Sequence, residues 1–137
     1  MRYDVRGMNN TNTKIQSFTD LLTWQHGHQL VISIYKITAK FPKEEMYSLV
    51  DQMRRAASSI TSNIAEGFGR HSSKERLQFY FLAQGSLTEF KNQILIAKDV
   101  GYLNTIDFNF LVEQANLTHK LLQGLITKTK TFITPNS

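Results

Sequence analysis

The sequence predicts an all-α protein whose four helices form an antiparallel up-down-up-down bundle. Apolar residues recur every three or four positions in four successive segments, which is the spacing of one helix face. No segment alternates apolar and polar residues with the period of two that marks a half-buried strand. Short turns join the segments, and short connections place neighbouring helices antiparallel in a bundle.

The chain of 137 residues is about the length of one domain. We predict a single bundle domain over residues 18–133, preceded by a flexible segment, 1–17, and followed by a flexible tail, 134–137. The Asn- and Thr-rich run at 9–13 and the polar tail offer little apolar surface for burial.

The first helix is predicted from about Asp20 to Lys40, with Thr19 as an N-cap that satisfies a backbone N–H of the first turn. Pro42 ends it, because the residue before a proline is disfavoured in the α conformation. Its apolar stripe consists of Trp24, Val31, Ile34, Thr38 and Phe41.

The second helix is predicted from about Glu44 to Phe68, with Gly67 and Gly69 supplying a left-handed residue at its C-terminus. Its stripe comprises Leu49, Met53, Ala56, Ile60, Ile64 and Gly67. Small side chains occupy nearly every face of its middle: Ala56, Ala57, Ser58, Ser59, Thr61, Ser62 and Ala65. Neighbouring backbones can therefore approach this helix closely on more than one side.

The third helix is predicted to begin at the capping box Ser72–Glu75 and to end at Gly101. Its apolar stripe is Tyr80, Ala83, Leu87, Phe90, Ile94 and Ala97. Gly85, in the middle of this helix, is predicted to face Ala56 at a close backbone crossing.

The fourth helix is predicted to follow a cap at Asn104 or Thr105. Its main stripe is Phe108, Leu111, Ala115, Thr118, Leu122, Leu125, Thr129 and Phe132. A second stripe, formed by Phe110, Leu117 and Leu121, lies beside the first. Two adjoining stripes cover more surface than one bundle core requires, so part of this surface is expected to face another subunit.

Reflecting the chain about the turn between the second and third helices aligns polar residues that face each other. This alignment predicts that Arg55 pairs with Glu89, directly or through Ser86, and that Asn63 is at least half buried and hydrogen-bonded. The predicted structural polar network comprises Gln52, Arg55, Asn63, Glu66, Ser86 and Glu89. A polar row beside an apolar stripe can specify register or partner choice. The alternative interpretation is an ordinary solvated face.

The sequence contains no recognisable catalytic or metal-binding constellation. Cysteine is absent, which excludes thiol nucleophiles and zinc–thiolate sites. The Glu-x-x-His motif of di-iron bundles does not occur, and neither does the Gly-x-Ser-x-Gly nucleophile elbow. His26 and His28 are two residues apart, so they cannot chelate one metal on a regular helix, and the alternative is that they belong to a larger site. We therefore expect a protein that is not an enzyme and uses no metal or cofactor.

Nothing in the sequence directs the chain to a membrane or a secretory route. The N-terminal residues lack the apolar core of a signal peptide. No run of about 18 apolar residues is present to span a bilayer. We expect a cytoplasmic protein with no membrane partner.

The net charge of +5 makes an acidic partner possible, although the surplus is spread along the chain rather than gathered in a tail. The candidate nucleic-acid-binding residues are Arg54, Arg55, Arg70, Lys74 and Arg76, around the second helix and the loop after it, and Lys36, Lys40 and Lys43, near the end of the first helix. No zinc finger, aromatic RNA-binding motif or helix-turn-helix spacing accompanies them. The alternative is that these side chains form an ordinary solvated face.

Several segments carry motifs of a known family, in order along the chain. They are Leu-x-x-Trp-Gln at 21–25, Phe-Pro-Lys-Glu-Glu-Met-Tyr at 41–47 and Gln-Met-Arg-Arg-Ala-Ala-Ser-Ser-Ile-x-x-Asn-Ile-Ala-Glu-Gly-Phe-Gly-Arg at 52–70, followed by Gly-Ser-Leu-x-Glu at 85–89 and Gly-Tyr-Leu at 101–103. On these residues the segment 18–103 resembles the four-helix-bundle family of 23S rRNA intervening-sequence proteins. Gly27 stands where alanine is usual in that family, Ser48 where glycine is usual, and Thr61 where proline is common.

The resemblance implies an antiparallel bundle that assembles into a homo-oligomeric ring, a pentamer. The sequence is similar, more remotely, to the accessory variability determinant of diversity-generating retroelements, which is a basic pentameric barrel that binds a reverse transcriptase and nucleic acid. The predicted function is thus a non-enzymatic homo-oligomer that binds RNA or DNA through basic surface residues. The alternative is a protein-interaction scaffold or accessory subunit that docks partner helices without binding nucleic acid.

Overall fold

The computed structural model describes residues 14–133 and contains four α-helices over that range: α1 Leu22–Thr38, α2 Leu49–Phe68, α3 Ser73–Asp99 and α4 Thr105–Lys130. No strand occurs in these residues, so the predicted all-α class is confirmed. None of the helices described combines the length and the apolar character needed to cross a bilayer. The predicted tail 134–137 lies outside the described residues, as does the predicted N-terminal segment up to residue 13.

The chain enters α1 through a short 3-10 turn, Phe18–Asp20. Ser17 caps this turn: its Oγ accepts a hydrogen bond from the backbone N–H of Thr19 at 3.3 Å, and its own N–H donates to the Asp20 carboxylate at 3.1 Å. The predicted cap at Thr19 is therefore wrong: its hydroxyl donates to Ser17 Oγ at 3.1 Å instead of accepting from a backbone N–H of α1. The helix itself starts only at Leu22, with no side-chain cap.

The other helix starts agree more closely with the sequence. Ser72 Oγ accepts from the backbone N–H of Glu75 at 3.1 Å, and the Asn104 side chain accepts from the N–H of Asp107 at 2.7 Å. These contacts confirm the predicted starts of α3 and α4. The second helix begins later than predicted, because a 3-10 turn over Lys43–Glu45 occupies the residues after the proline.

Each helix packs against two others: α1 and α3 both contact α2 and α4. The predicted stripe of α3 is buried along its whole length, and each large apolar side chain buried in this way contributes about 1.5–3 kcal/mol. The largest fully buried side chains include Tyr80, Phe90, Leu30, Ile34, Met53, Ile60, Ile64, Leu87, Leu111 and Leu122. The second stripe of α4 lies outside this core, with Phe110 43% and Leu117 37% exposed.

Gly101 ends α3 as predicted, whereas Gly67, Gly69 and Gly85 do not act as the sequence suggested. Gly67 lies inside α2, and Gly69 has an ordinary right-handed conformation with φ of −77°, so neither supplies the predicted left-handed residue. Among the described residues that conformation belongs to Gly101 alone, with φ of +88° after α3. Gly85 is exposed, and a Cβ built on it would meet no atom of another described element within 4 Å. The predicted close crossing at Gly85 is therefore wrong.

Candidate nucleic-acid interface

Three of the predicted basic residues gather where α2 turns into α3. The Nε of Arg76 donates to the backbone oxygen of Arg70 at 2.8 Å, which ties the two sides of the turn together. The Arg70 guanidinium lies 4.6 Å from the centre of the Phe79 ring, and the Arg76 guanidinium lies 5.4 Å from that of Phe68. These aromatic contacts orient both arginines. Lys74 is exposed in the first turn of α3.

Two lysines that sequence reasoning missed lie at the same end of the molecule. Lys128 and Arg76 line one cavity, and the Nζ of Lys130 lies 5.7 Å from the centre of the Phe81 ring. Both lysines belong to the last turn of α4. We call the surface formed by Arg70, Lys74, Arg76, Lys128 and Lys130 the basic end. The sequence feature that could have revealed them is the pair of lysines in the final turn of the last helix.

The remaining predicted lysines lie elsewhere. Lys36 and Lys40 are exposed at the end of α1, and Lys43 is exposed in the turn before α2. The 20 residues of α2 separate that turn from the basic end, a length of about 30 Å. The eight predicted binding residues therefore do not form one patch.

Arg54 turns towards α1 rather than towards solvent. Its Nε donates to Thr38 Oγ1 at 3.1 Å, and its Nη2 donates to the backbone oxygen of Tyr35 at 3.3 Å. Its guanidinium also lies 4.5 Å from the centre of the Tyr35 ring. These three contacts make Arg54 a link between α1 and α2.

The predicted pairing of Arg55 with Glu89 is wrong. The Nε of Arg55 instead contacts the Asp51 carboxylate at 2.9 Å, and the Arg55 side chain is 80% exposed. Glu89 accepts a hydrogen bond from Gln93 at 3.3 Å. The cause is register: Ser86 lies opposite Ser59, with the two Oγ atoms 2.8 Å apart, which is one helical turn beyond Arg55.

Part of the predicted polar network does form. Asn63 is half buried, and its Nδ2 donates to the backbone oxygen of Ser59 at 2.8 Å and to Ser59 Oγ at 3.1 Å. Its predicted burial and hydrogen bonding are confirmed, and Ser59 connects it to Ser86. Glu66 is instead paired with Arg70 at 3.2 Å, and Gln52 is exposed.

The outer face of α2 forms a groove floored by small side chains. Ser58, Ser59 and Ser62 line a hollow of about 540 Å³ beside Tyr35. This hollow meets a second one of about 740 Å³ at Ser62, which continues past Ala65. The ion pairs of Asp51 with Arg55 and of Glu66 with Arg70 flank the groove at its two ends.

A contact between α3 and α4 was not predicted. Lys91 Nζ and His119 Nδ1 are 2.7 Å apart, and the ammonium can donate only while Nδ1 carries no proton. Burial lowers the pKa of Lys91 below its usual value of 10.5. Burial, and secondarily the charge of Lys91, lower the pKa of His119 below its usual 6.5.

We expect this pair to make the protein less stable in mild acid. The unfolded chain protonates His119 more readily than the folded chain does. The free energy of unfolding is therefore highest above pH 6.5, where His119 is neutral in both states. It decreases as the pH falls through the lowered pKa of the folded chain. The melting temperature should therefore fall more between pH 7.5 and 5.5 in the natural protein than in His119→Gln. Equal pH dependence in the two proteins would show that the pair does not titrate in this way.

Within residues 14–133, no group of three or more histidine, aspartate and glutamate side chains is placed to bind a metal ion.

Four packed helices with cations gathered at one end define a small, basic, all-α protein. The chain belongs to the 23S rRNA-intervening sequence protein family, whose model matches residues 19–124. The match extends into α4, beyond residue 103, where the resemblance noted from the sequence stops.

A solved structure has the same fold. It is the crystal structure of a protein of unknown function from the S23 ribosomal protein family of Bacteroides thetaiotaomicron. The two chains superpose with a TM-score of 0.72 and are 16% identical, over 77% of this chain and 96% of the other. No curated protein matches the chain significantly.

Proposed function

We propose that this protein is a non-enzymatic bundle that binds RNA or another nucleic acid through its basic end. The observation that carries the proposal is the convergence of five cations from two distant parts of the chain, the α2–α3 turn and the last turn of α4. Lys and Arg side chains supply the phosphate contacts that dominate nucleic-acid affinity. The Arg76 guanidinium also suits the planar geometry of phosphate recognition, whereas the Arg70 guanidinium is shared with Glu66 at 3.2 Å.

An antiparallel arrangement of the helices is part of this proposal. Arg54, near the start of α2, bonds Thr38 at the end of α1. A Cβ on Gly67, near the end of α2, would touch Tyr80, in the first half of α3. Thr23 Oγ1, near the start of α1, donates to the backbone oxygen of Leu121, late in α4, at 3.3 Å. Each of these contacts fits an up-down-up-down order.

A homo-oligomeric ring, a pentamer as the family resemblance implies, is the second part of the proposal. Large apolar side chains remain exposed on α3, α4 and the turn between them, among them Leu82, Leu95, Ile96, Val100 and Phe110, and exposed apolar patches commonly mark protein interfaces. The α2 groove offers a small-residue surface that another subunit could approach closely. Assembly would repeat the basic end in each subunit, and the summed charge would strengthen the attraction for phosphates.

The test is fluorescence anisotropy with a structured RNA at several salt concentrations. We expect affinity to fall steeply with salt, with a log–log slope of several units, because each neutralised phosphate contributes about 0.7–0.9 to the slope. The variant Lys74→Glu/Lys128→Glu/Lys130→Glu should lose most of this affinity and flatten the slope. Sedimentation of the same samples gives the subunit number.

The matched control is Lys36→Glu/Lys40→Glu/Lys43→Glu, which makes the same change in net charge at the opposite end of α2. This control should bind more tightly than the basic-end variant. Equal losses in the two variants would mean that only the net charge acts, and no binding at about 50 mM salt would remove the proposal.

One observation favours the alternative of a protein-interaction scaffold. Leu49 and Tyr102 line a shallow groove together with the exposed side chains of Ile96 and Val100. Such a groove could dock a partner helix. If the protein binds no RNA and this groove stays uncovered in the oligomer, the scaffold is the better explanation.

A further inference from the structure

A small cavity lies at the basic end, between the last turn of α2, the first half of α3 and the last turns of α4, and Ile15 and Leu21 of the segment before α1 close one side of it. Its volume is about 170 Å³, and it is more enclosed than the two hollows of the α2 groove. Phe68 and Phe132 contribute aromatic walls, Tyr80 lines it from α3, and Arg76 and Lys128 contribute positive charge. The proposed function assigns the cations of this region a role but leaves the cavity unexplained.

The cavity walls combine flat, apolar surfaces with hydrogen-bonding groups. The Arg76 guanidinium is held against the Phe68 ring at 5.4 Å, and its Nε is engaged by the carbonyl of Arg70. Its terminal nitrogens make no hydrogen bond within the described part of the chain, so they can serve a ligand. Burial raises the pKa of the Tyr80 hydroxyl, although the charge of Arg76 acts in the opposite direction. The hydroxyl is therefore protonated at neutral pH and can donate.

Phe132 is the second observation that points to a ligand. Its ring is 66% exposed, although it lines a cavity whose rim also carries Lys128. An exposed aromatic ring beside a lysine is the arrangement with which proteins bind single-stranded nucleic acids: the base stacks on the ring and the cation contacts the phosphate.

We propose that this cavity accepts one unstacked base of a single-stranded nucleic acid, while Lys128 and the neighbouring cations hold the flanking phosphates. The inference rests on the proposed function and specifies its substrate class. Pockets for whole metabolites usually measure about 300–1,000 Å³, so a cavity of about 170 Å³ suits a single ring system better. A base in a duplex is stacked and cannot enter, whereas loops, bulges and ends present bases that can be splayed out.

The experiment compares a 5′-labelled single-stranded RNA of about 12 nucleotides, near the site size of single-strand binders, with the same strand annealed to its complement. Anisotropy is measured for the natural protein, Phe132→Ala, Tyr80→Phe and the control Tyr47→Ala. Tyr47 is a 94% exposed aromatic residue in the turn before α2, far from the cavity. Thermal melting of each variant confirms that it folds. Tyr80→Phe keeps the buried ring and removes only the hydroxyl.

We expect the natural protein to bind the single strand more tightly than the duplex. Phe132→Ala should weaken single-strand binding by roughly 5- to 150-fold, the range that one base–aromatic stack contributes, and should leave duplex binding unchanged. Tyr80→Phe should cause a smaller loss for the single strand only, and Tyr47→Ala should cause none. This pattern supports the inference.

Two other results overturn it, and they are distinguishable. If the single strand and the duplex bind equally, with the same salt dependence and no effect of Phe132→Ala, the proposed function survives and the base-accepting cavity does not. If neither probe binds at about 50 mM salt, where phosphate contacts are strong, the proposed function fails and the inference fails with it.

Discussion

Gly67→Ala is expected to destabilise the protein by about 2 kcal/mol, because overpacking a tight site costs more than a glycine-to-alanine change adds to helix propensity. A Cβ at this position would lie 2.7 Å from Cε1 of Tyr80 and 3.0 Å from Cβ of Phe79. The Tyr80 ring is 1% exposed and is packed in the core, so relieving this contact requires neighbouring side chains to shift as well. Urea unfolding, at one protein concentration for all variants, measures the loss.

Gly85→Ala is the matched control, because it makes the same chemical change in the neighbouring helix. Apart from its own helix backbone and chain neighbours, no atom of residues 14–133 lies within 4 Å of the position of its Cβ, so the subunit should gain about 0.5–1 kcal/mol from the reduced backbone entropy of the unfolded chain. If another subunit covers this face of α3, the same change should also weaken assembly, which sedimentation would detect. Destabilisation by both substitutions to the same extent would rule out the contact with Tyr80 as the cause.

Gly67 and Gly85 show that the sequence predicts the helices and their buried faces but not the register between neighbouring helices. Apolar periodicity identifies four helices and their buried faces, because burial of one face is what makes the pattern. Periodicity does not fix how far one helix slides along the next. Reflection about the α2–α3 turn placed Gly85 at a close crossing, whereas the close approach occurs where Gly67 leaves room for the Tyr80 ring. That contact sets the register, and with it the position of Ser86 opposite Ser59.

The candidate site was predicted less completely than the fold. Arg70, Lys74 and Arg76 are close in sequence, so a scan along the chain finds them together. Lys128 joins Arg76 only through the packing of α4 on α3, and no local motif marks that contact. The pairing of Lys91 with His119 was missed for the same reason.

Two departures from the family pattern compensate each other in space. A Cβ on Gly27 would lie 3.0 Å from the Cγ2 methyl of Thr61. Gly27 on α1 therefore leaves room for the methyl group of Thr61 on α2, and both are positions at which the resemblance implies a different residue. The sequence showed both departures but not their contact, because the two residues belong to different helices.

Arg54 was predicted to bind nucleic acid, but its contacts with α1 indicate a structural role. Its replacement is the second change that we expect to lower stability substantially. Arg54→Ala should cost about 2–3 kcal/mol, because it removes charge-assisted hydrogen bonds to Thr38 Oγ1 and to the backbone oxygen of Tyr35. It also removes the stacking of the guanidinium on the Tyr35 ring. Thr38 Oγ1 keeps its bond to the backbone oxygen of Ile34 at 2.6 Å, which limits the loss.

Arg54→Lys separates charge from geometry, and Arg55→Lys is its control on the adjacent residue. Lysine keeps the positive charge but cannot reproduce the fork that reaches both partners on α1. We expect Arg54→Lys to lose about 1–2 kcal/mol of stability and to keep its affinity for RNA. The Arg55 side chain is 80% exposed and pairs with Asp51 on its own helix, so Arg55→Lys should change stability by less than about 0.5 kcal/mol. If Arg54→Lys instead kept full stability and lost RNA affinity, Arg54 would be a ligand-binding residue, and the interface would extend from the basic end along α2 to the opposite end of the molecule.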